Sequence, residues 1–283
     1  MVTFSKAKYT IMETILIITD FSEAANNAAS YSISLAQALG VKQIVLYHSY
    51  DPNTMTAKIP ISASERIAFL EEREKKLASL RKHIYSMLAE AVAVDIVSDE
   101  RPLLEGVQAL AAKYGKCLLL AGATSKSGLR KFFLGSNTLN LAEHAPIPLL
   151  LVPEKMAFRP LEQLLLACNM HLDSDKLPIA LLSFLKERLH AQVHVLNVDK
   201  PTTADEAPSA ALEEQLRVLN PQYHVAQDKD VVRGIVTFVN QNSVDLLISM
   251  PQEYGFFEGL FHKSITRQLA EIADLPLLIL RKH

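Results

Sequence analysis

Cysteine is scarce and tryptophan is absent, and the low cysteine count argues against a secreted protein stabilised by disulfides. Only two cysteines occur in 283 residues, Cys117 and Cys168, and each lies inside or at the end of an apolar run. Two such residues do not make the disulfide framework of a small secreted domain, and they predict buried thiols in a reducing compartment. We therefore expect a cytoplasmic protein.

Long apolar runs and an excess of basic charge are also missing. No apolar stretch approaches the roughly 18 residues that a membrane-spanning helix needs, and the N-terminal segment lacks the apolar core of a signal peptide. The formal net charge is −2, whereas a dedicated nucleic-acid binder usually carries a basic face. These features predict a protein that neither crosses a membrane nor binds nucleic acid.

Motifs for common enzymes and metal sites are equally scarce. The sequence has no G-x-S-x-G elbow and no G-x-x-x-x-G-K-[ST] phosphate loop. Its histidines are scattered without the close pairing of a metal site. No nucleophile, base and orienting group are arranged for catalysis, so we expect neither catalytic nor metal-binding residues.

Apolar runs and helical segments alternate through the first half of the chain. Five apolar runs predict strands, at residues 14–19, 43–48, 91–97, 117–121 and 148–152. The segments between them have helical spacing, and the one at 63–89 carries mixed charges that indicate a solvated outer face. This alternation predicts an α/β fold with a doubly wound parallel sheet.

The second half repeats the pattern after a proline-flanked linker. Asn169 follows an apolar run as Asp20 follows the first one, and Pro276-Leu277-Leu278 matches Pro148-Leu149-Leu150. A repeat of this length indicates a duplicated domain rather than a solenoid unit. We predict two tandem doubly wound domains, at residues 1–153 and 160–283.

A strand, a glycine-containing loop and a helix follow one another from Cys117 onward. The strand is predicted to stop at Gly122, where the loop opens, and Gly135-Ser136-Asn137 begins the helix. A helix N-terminus offers N–H groups and a positive dipole end to an anion, which makes this a candidate phosphate site. Alternatively, the glycines only permit turns and Ser136 or Asn137 only caps the helix.

Taken together, these segments resemble the universal stress protein family in its tandem, two-domain form. The resemblance is carried by ILIITDFSEAANNAASYSISLAQALG, by IVLYH, and by the loop from Gly122 to Ser136 with its following helix and proline-led strand. In the nucleotide-binding branch of that family, Gly, two residues, Gly, nine residues, Gly and then Ser or Thr hold the ribose and phosphates of ATP. The resemblance implies a Rossmann-like, adenine nucleotide alpha hydrolase-like fold and an ATP-binding stress-response or regulatory protein.

The resemblance also implies which residues bind ATP: Ile18, Thr19, Asp20, Ser49, Ala121, Gly122, Ser125, Gly135, Ser136 and Asn137. Asp20 takes the place of the family's aspartate near the ribose, or near a metal ion such as Mg²⁺ bound with the nucleotide. Ser49 takes the position whose backbone faces adenine. Ser125 replaces the middle glycine, which costs of order 1 kcal/mol if that position needs a positive φ.

The second half departs from this pattern at most of its positions. Asp20, Gly122, Ser125 and Gly135 are replaced, in that order, by Asn169, Met250, Glu253 and Lys263, and only Ser136 is retained, as Ser264. A charge-assisted bond to phosphate contributes roughly 1.5–3 kcal/mol, so the loss of two glycines removes much of the affinity. We expect the second domain to hold no ATP, or to bind a different ligand in an altered pocket.

The sequence also suggests partners for the chain and an alternative function. Family domains commonly pair through their last strands, so the resemblance implies an intramolecular pseudo-dimer through residues 149–152 and 277–280, with a homodimer and a protein partner as further expectations. The alternative is a nucleotide-free interaction module, in which the aromatic segment at 255–261 recruits a partner. Slow ATP hydrolysis is a third hypothesis, for which the sequence identifies no base to activate water.

Overall fold

The chain forms two compact units, one of residues 12–124 and 135–158 and one built on residues 159–283. The computed structural model describes residues 12–50, 62–88, 91–125, 132–133, 135–170, 177–199, 209–250 and 275–280. Within these ranges both units consist of parallel strands connected by helices.

Six strands and four helices are described in the first half of the chain. The strands are β1 (Thr14–Ile18), β2 (Gln43–Ser49), β3 (Ala93–Asp99), β4 (Cys117–Ser125), β5 (Phe132–Phe133) and β6 (Leu149–Pro153). The helices are α1 (Glu23–Leu39), α2 (Ala63–Met87), α3 (Leu103–Tyr114) and α4 (Ser136–His144).

The first unit is a parallel sheet in the order β3-β2-β1-β4-β6. Helix α1 packs on β1 and β6 and against α2, whereas α3 packs against α4. All five residues of β1 are buried, as is typical of a central parallel strand covered on both faces. The predicted α/β, doubly wound, Rossmann-like fold class is confirmed.

Local signals in the sequence set the helix ends. The Ser22 hydroxyl caps α1 by accepting from the Ala25 N–H at 3.3 Å, and Gly40, whose φ is 67°, caps its carboxyl end. Ser62 and Glu65 form a capping box at the start of α2. In α2 only Leu77 and Ile84 are buried, which confirms the predicted solvated outer face.

The end of β4 differs from the sequence prediction. The strand does not stop at Gly122 but continues to Ser125. Pairing with β6 continues past Gly122, since Val152 pairs with Gly122 and Pro153 with Ala123. Apolar periodicity ends at Gly122, but backbone pairing does not depend on apolar side chains.

The second unit has the same strand order as the first. Its strands are β7 (Gln163–Ala167), β8 (Gln192–Asp199), β9 (Gln222–Gln227), β10 (Leu246–Ser249) and β11 (Leu277–Ile279), and its helices are α5 (Ile179–Leu189), α6 (Ala210–Leu216) and α7 (Val231–Gln241). The parallel order β9-β8-β7-β10-β11 matches β3-β2-β1-β4-β6 position by position.

Candidate functional site

The candidate site lies where the strand order of the first unit reverses. From β1 the chain moves outward to β2 and β3, and it then returns to β4 on the other side of β1. Ile17 pairs with Leu120 across these two central strands, so residues 18–20 and 121–122 lie side by side at the carboxyl end of β1. In open α/β sheets, ligands bind outside the carboxyl ends of the strands at such a reversal.

Ile18, Thr19 and Asp20 form the carboxyl end of β1 and the turn into α1. The Thr19 N–H donates to the Tyr47 carbonyl at 2.9 Å, and its hydroxyl accepts from the Phe21 N–H at 3.0 Å. The exposed Asp20 carboxylate accepts from the Ser22 N–H at 3.0 Å. These bonds hold Asp20 at the surface beside the start of α1.

Phe21 and His48 pack together beneath this turn. Phe21 has a φ of 66°, a strained backbone conformation for an aromatic residue. Its ring centroid lies 4.7 Å from that of His48, and the Arg73 guanidinium of α2 lies 5.4 Å from it. The turn is thus fixed by packing from β2 and α2, elements remote in sequence.

His48 supports Thr19 through its buried imidazole. Its Nδ1 lies 2.7 Å from the Thr19 carbonyl oxygen, so Nδ1 carries the proton and donates. Its Nε2 is buried and has no hydrogen-bond partner in the described part of the chain. Burial, and secondarily the charge of Arg73, lowers the pKa of His48 against the opposing effects of the Thr19 carbonyl and Asp20. His48 is therefore a neutral structural donor near pH 7.

The backbone of α1 occupies the space that a side chain at Gly122 would need. A Cβ placed on Gly122 would lie 2.3 Å from the carbonyl carbon and oxygen of Ala24 and 2.7 Å from the Ala25 nitrogen. No side chain fits there, so the glycine permits close packing of α1 on β4. Its neighbour Ala121 is also buried.

Gly135 lies in a different environment. It is the N-cap of α4 with a φ of −58°, a conformation open to every residue. A Cβ there would meet no atom within 4 Å among the described residues. Ser136 and Asn137 follow in the exposed first turn, where backbone N–H groups lack intrahelical partners. Neither the fold nor the backbone conformation of the described chain requires glycine at this position.

Ser49 ends β2 and Ser125 ends β4, the two strands on either side of β1. The Ser49 hydroxyl donates to the Arg101 carbonyl at 2.6 Å, which ties the end of β2 to the start of α3. Ser125 ends β4, but its side chain lies outside the described part of the structure, as do Lys126, Arg130 and Lys131. Because α4 leads into the parallel strand β6, its N-terminus lies at the same carboxyl edge of the sheet.

The second unit keeps the backbone arrangement but changes the side chains. The Cys168 N–H donates to the Leu196 carbonyl at 3.0 Å, as Thr19 does to Tyr47. Asn169 stands in the place of Asp20, and burial raises the pKa of the Cys168 thiol to about 12. Asn197 replaces His48, and its amide accepts from the Met170 N–H at 3.4 Å. Glu253, Lys263 and Ser264 lie outside the described residues.

Two histidines of the second unit form a pair, contrary to the expectation that the histidines are scattered. His194 Nδ1 lies 2.9 Å from His224 Nε2, and His194 Nε2 lies 2.8 Å from the Gln163 oxygen. These residues are on neighbouring strands, and their proximity follows from sheet register, which one sequence does not display. The described residues include no group of three or more His, Cys, Asp or Glu side chains placed to hold a metal ion.

We expect this pair to make folding stability depend on pH. Burial, and secondarily the neighbouring His224, lowers the pKa of His194 below its ordinary value. The unfolded chain then binds protons at His194 before the native chain does, so the free energy of unfolding falls as pH drops below about 6.5. Urea unfolding between pH 7.5 and 5 measures this slope. The slope becomes shallower in His194→Gln and stays unchanged in a His83→Gln control on exposed α2.

Comparison with known proteins identifies related sequences and folds. The model of the universal stress protein family matches residues 12–153. A universal stress protein from Archaeoglobus fulgidus has 15% identity and a TM-score of 0.71, over 98% of this chain and 100% of that one. A putative universal stress protein from Pseudomonas aeruginosa has 14% identity and a TM-score of 0.58, over 97% and 95%. At these identities the structures show a shared fold alone. Curated protein sequences give no match.

No helix in the described ranges is long and apolar enough to span a membrane.

Proposed function

Because the chain belongs to the universal stress protein family, we propose that it is a cytoplasmic stress-response or regulatory protein whose first domain binds ATP. The proposal places this domain at residues 1–153 and a second, degenerate domain at 160–283. The binding residues are those assigned by the resemblance, from Ile18 to Asn137.

The main support for this proposal is the open environment of Gly135. A glycine is kept where a backbone turn or a close approach requires it, and neither requirement arises from the described chain, since φ is −58° and a Cβ would meet open space. Close approach by a ligand is the reason that we propose. A phosphate seated on the N–H groups of Ser136 and Asn137 would approach the Gly135 Cα directly.

In this proposal the ribose and adenine of the nucleotide lie at the carboxyl ends of β1 and β2. Asp20 is exposed at the end of β1, where its carboxylate is suited to a ribose hydroxyl. Ser49 ends β2 with its hydroxyl engaged by Arg101, which leaves the backbone as the contact for adenine. One carboxylate also suits a Mg²⁺ ion that takes its remaining ligands from phosphates and water.

Serine at position 125 is compatible with this site. Because β4 continues through Ser125, the backbone there is extended, a conformation that any residue adopts. The anticipated strain of a positive φ then does not arise. A serine supplies a backbone N–H as a glycine does.

In the same proposal the second domain is a structural partner without ATP. Asn169 removes the carboxylate at the end of β7, and Met250 replaces the first glycine of the motif. We propose that the two domains arose by duplication, which the shared strand order supports. Their pairing through residues 149–152 and 277–280 stays a prediction, as does a further protein partner.

The test is to identify and count the bound nucleotide. Freshly purified protein is denatured and the released small molecules are analysed by chromatography and mass spectrometry, and ATP is then titrated into the nucleotide-free protein by calorimetry. We expect one ATP per chain, with a dissociation constant near or below the micromolar range, about −8 kcal/mol. Two per chain would contradict the degenerate second site. No nucleotide and no heat would reject the ATP site and favour the interaction module, whose segment at 255–261 lies outside the described residues.

A further inference from the structure

The outer strand of the second unit, β9, is far less protected than its counterpart in the first. Both β3 and β9 end their sheets, and the described residues pair each with a single inner strand, β2 or β8. A free strand edge exposes backbone N–H and C=O groups that can pair with another strand. Natural proteins usually block such edges with charges, proline, bulges or a covering element.

Charge protects β3 but not β9. The sequence of β3 is AVDIVSD, with Asp95 and Asp99, whereas that of β9 is QYHVAQ, with neither carboxylate, lysine, arginine nor proline. If β3 paired antiparallel with a copy of itself about Val97, Asp95 would face Asp99 and the like charges would repel. If β9 paired antiparallel with a copy of itself about His224, no two carboxylates and no two ammonium groups would face each other.

The covering helix is also shorter at β9. In the first unit the 25-residue α2 packs on β3. At the matching place in the second unit α6 has seven residues, followed by a 3-10 turn at Arg217–Leu219. As a result Tyr223 and Val225 of β9 are 45% and 66% exposed, and Val218 of the turn is 57% exposed.

Tyr223 and Val225 share one face of β9. Residues two apart on a strand point the same way. Partial burial, and secondarily the Glu213 carboxylate of α6, raises the pKa of Tyr223. The residue between them, His224, points to the opposite face, where its ring centroid lies 4.8 Å from that of Phe238 on α7. The apolar pair therefore lies on the side that the short α6 leaves partly uncovered.

We propose that β9 is a dimerisation edge, pairing antiparallel with β9 of a second copy of the chain about a twofold axis at His224. This register places Tyr223 of each copy opposite Val225 of the other, on the same face of a continuous sheet. Aromatic and β-branched side chains are favourable cross-strand partners. The strand is thus complementary to itself in charge and in side-chain shape, which points to a second copy rather than to an unrelated strand. This inference does not depend on ATP binding.

Sedimentation velocity over a range of protein concentrations tests the proposal. We expect a reversible monomer–dimer equilibrium that Val225→Lys weakens by about 100-fold, because it removes both Tyr–Val pairs and adds one charge per edge. Ile67→Lys is the matched control, since Ile67 is a similarly exposed apolar residue on α2, at 59% against 66% for Val225. This control retains the dimer. Equal thermal melting of the dilute variants shows that each one folds.

Hydrogen exchange supplies a second readout at the strand itself. Amide protons of residues 222–227 are expected to exchange more slowly as the wild-type concentration rises, and to lose this protection in Val225→Lys. A monomer at every concentration overturns the proposal. So does a dimer that survives Val225→Lys, or one that leaves exchange at 222–227 unchanged.

Discussion

Gly122→Ala is expected to lower the free energy of unfolding by about 2 kcal/mol. The added Cβ would lie 2.3 Å from the Ala24 carbonyl carbon and oxygen, and backbone atoms inside a helix cannot move aside as a flexible side chain can. Overpacking of this kind costs about 1–3 kcal/mol. Alanine recovers only about 0.5–1 kcal/mol through the lower entropy of its unfolded chain, so the clash dominates.

Urea unfolding of wild type, Gly122→Ala and Gly135→Ala measures this difference. Gly135→Ala is the matched control, because it adds the same methyl group to a glycine of the same motif where no described atom lies within 4 Å. We expect its stability to stay within about 0.5 kcal/mol of wild type. Equal stability of the two variants would show that α1 does not pack on β4 as closely as described.

Gly135→Asp is expected to weaken ATP binding by about 100-fold while the fold stays intact. Aspartate is a favourable N-cap residue, so α4 is not destabilised. Its carboxylate would occupy the space that a phosphate needs and repel the phosphate charge. The loss of one or two charge-assisted bonds, at roughly 1.5–3 kcal/mol each, corresponds to this loss of affinity.

Calorimetric titration of ATP into the nucleotide-free variants gives the affinities. Gly135→Asn separates volume from charge, since it caps a helix equally well without a negative charge, and we expect it to retain more affinity than Gly135→Asp. Ser209→Asp, at the N-cap of α6, places the same charge on the second unit and should leave binding unchanged. Unaltered ATP affinity in Gly135→Asp would exclude the N-terminus of α4 as the phosphate site.

The order of the elements is predicted well from the sequence, because it rests on local patterns. The run TILII is apolar enough to be buried on both faces, and Ser22 and Gly40 mark the ends of α1. The end of β4 is predicted less well. The apolar run ends before Gly122, yet Gly122 and Ala123 stay in the sheet by pairing with Val152 and Pro153 of β6.

The two motif glycines illustrate a limit of motif reading. In the sequence, Gly122 and Gly135 appear as equal parts of one phosphate-binding pattern. In the structure, the backbone of α1 occupies the space that a Cβ on Gly122 would need, whereas a Cβ on Gly135 would meet no described atom within 4 Å. A glycine kept for packing and a glycine kept for a ligand look alike until the neighbouring chain is in place.

The sequence by itself determined the alternation of strands and helices and the repeated strand pattern, because periodicity and capping depend on residues close in the chain. The family followed from the resemblance of its motifs and from the match over residues 12–153. Tertiary structure alone decided which side chains meet across the sheet. His194 and His224 lie 2.9 Å apart only through the register of β8 and β9. Likewise, Tyr223 and Val225 are exposed because a helix that covers the first unit is short in the second. Contacts between distant segments depend on sheet order and helix length together, which no local pattern records.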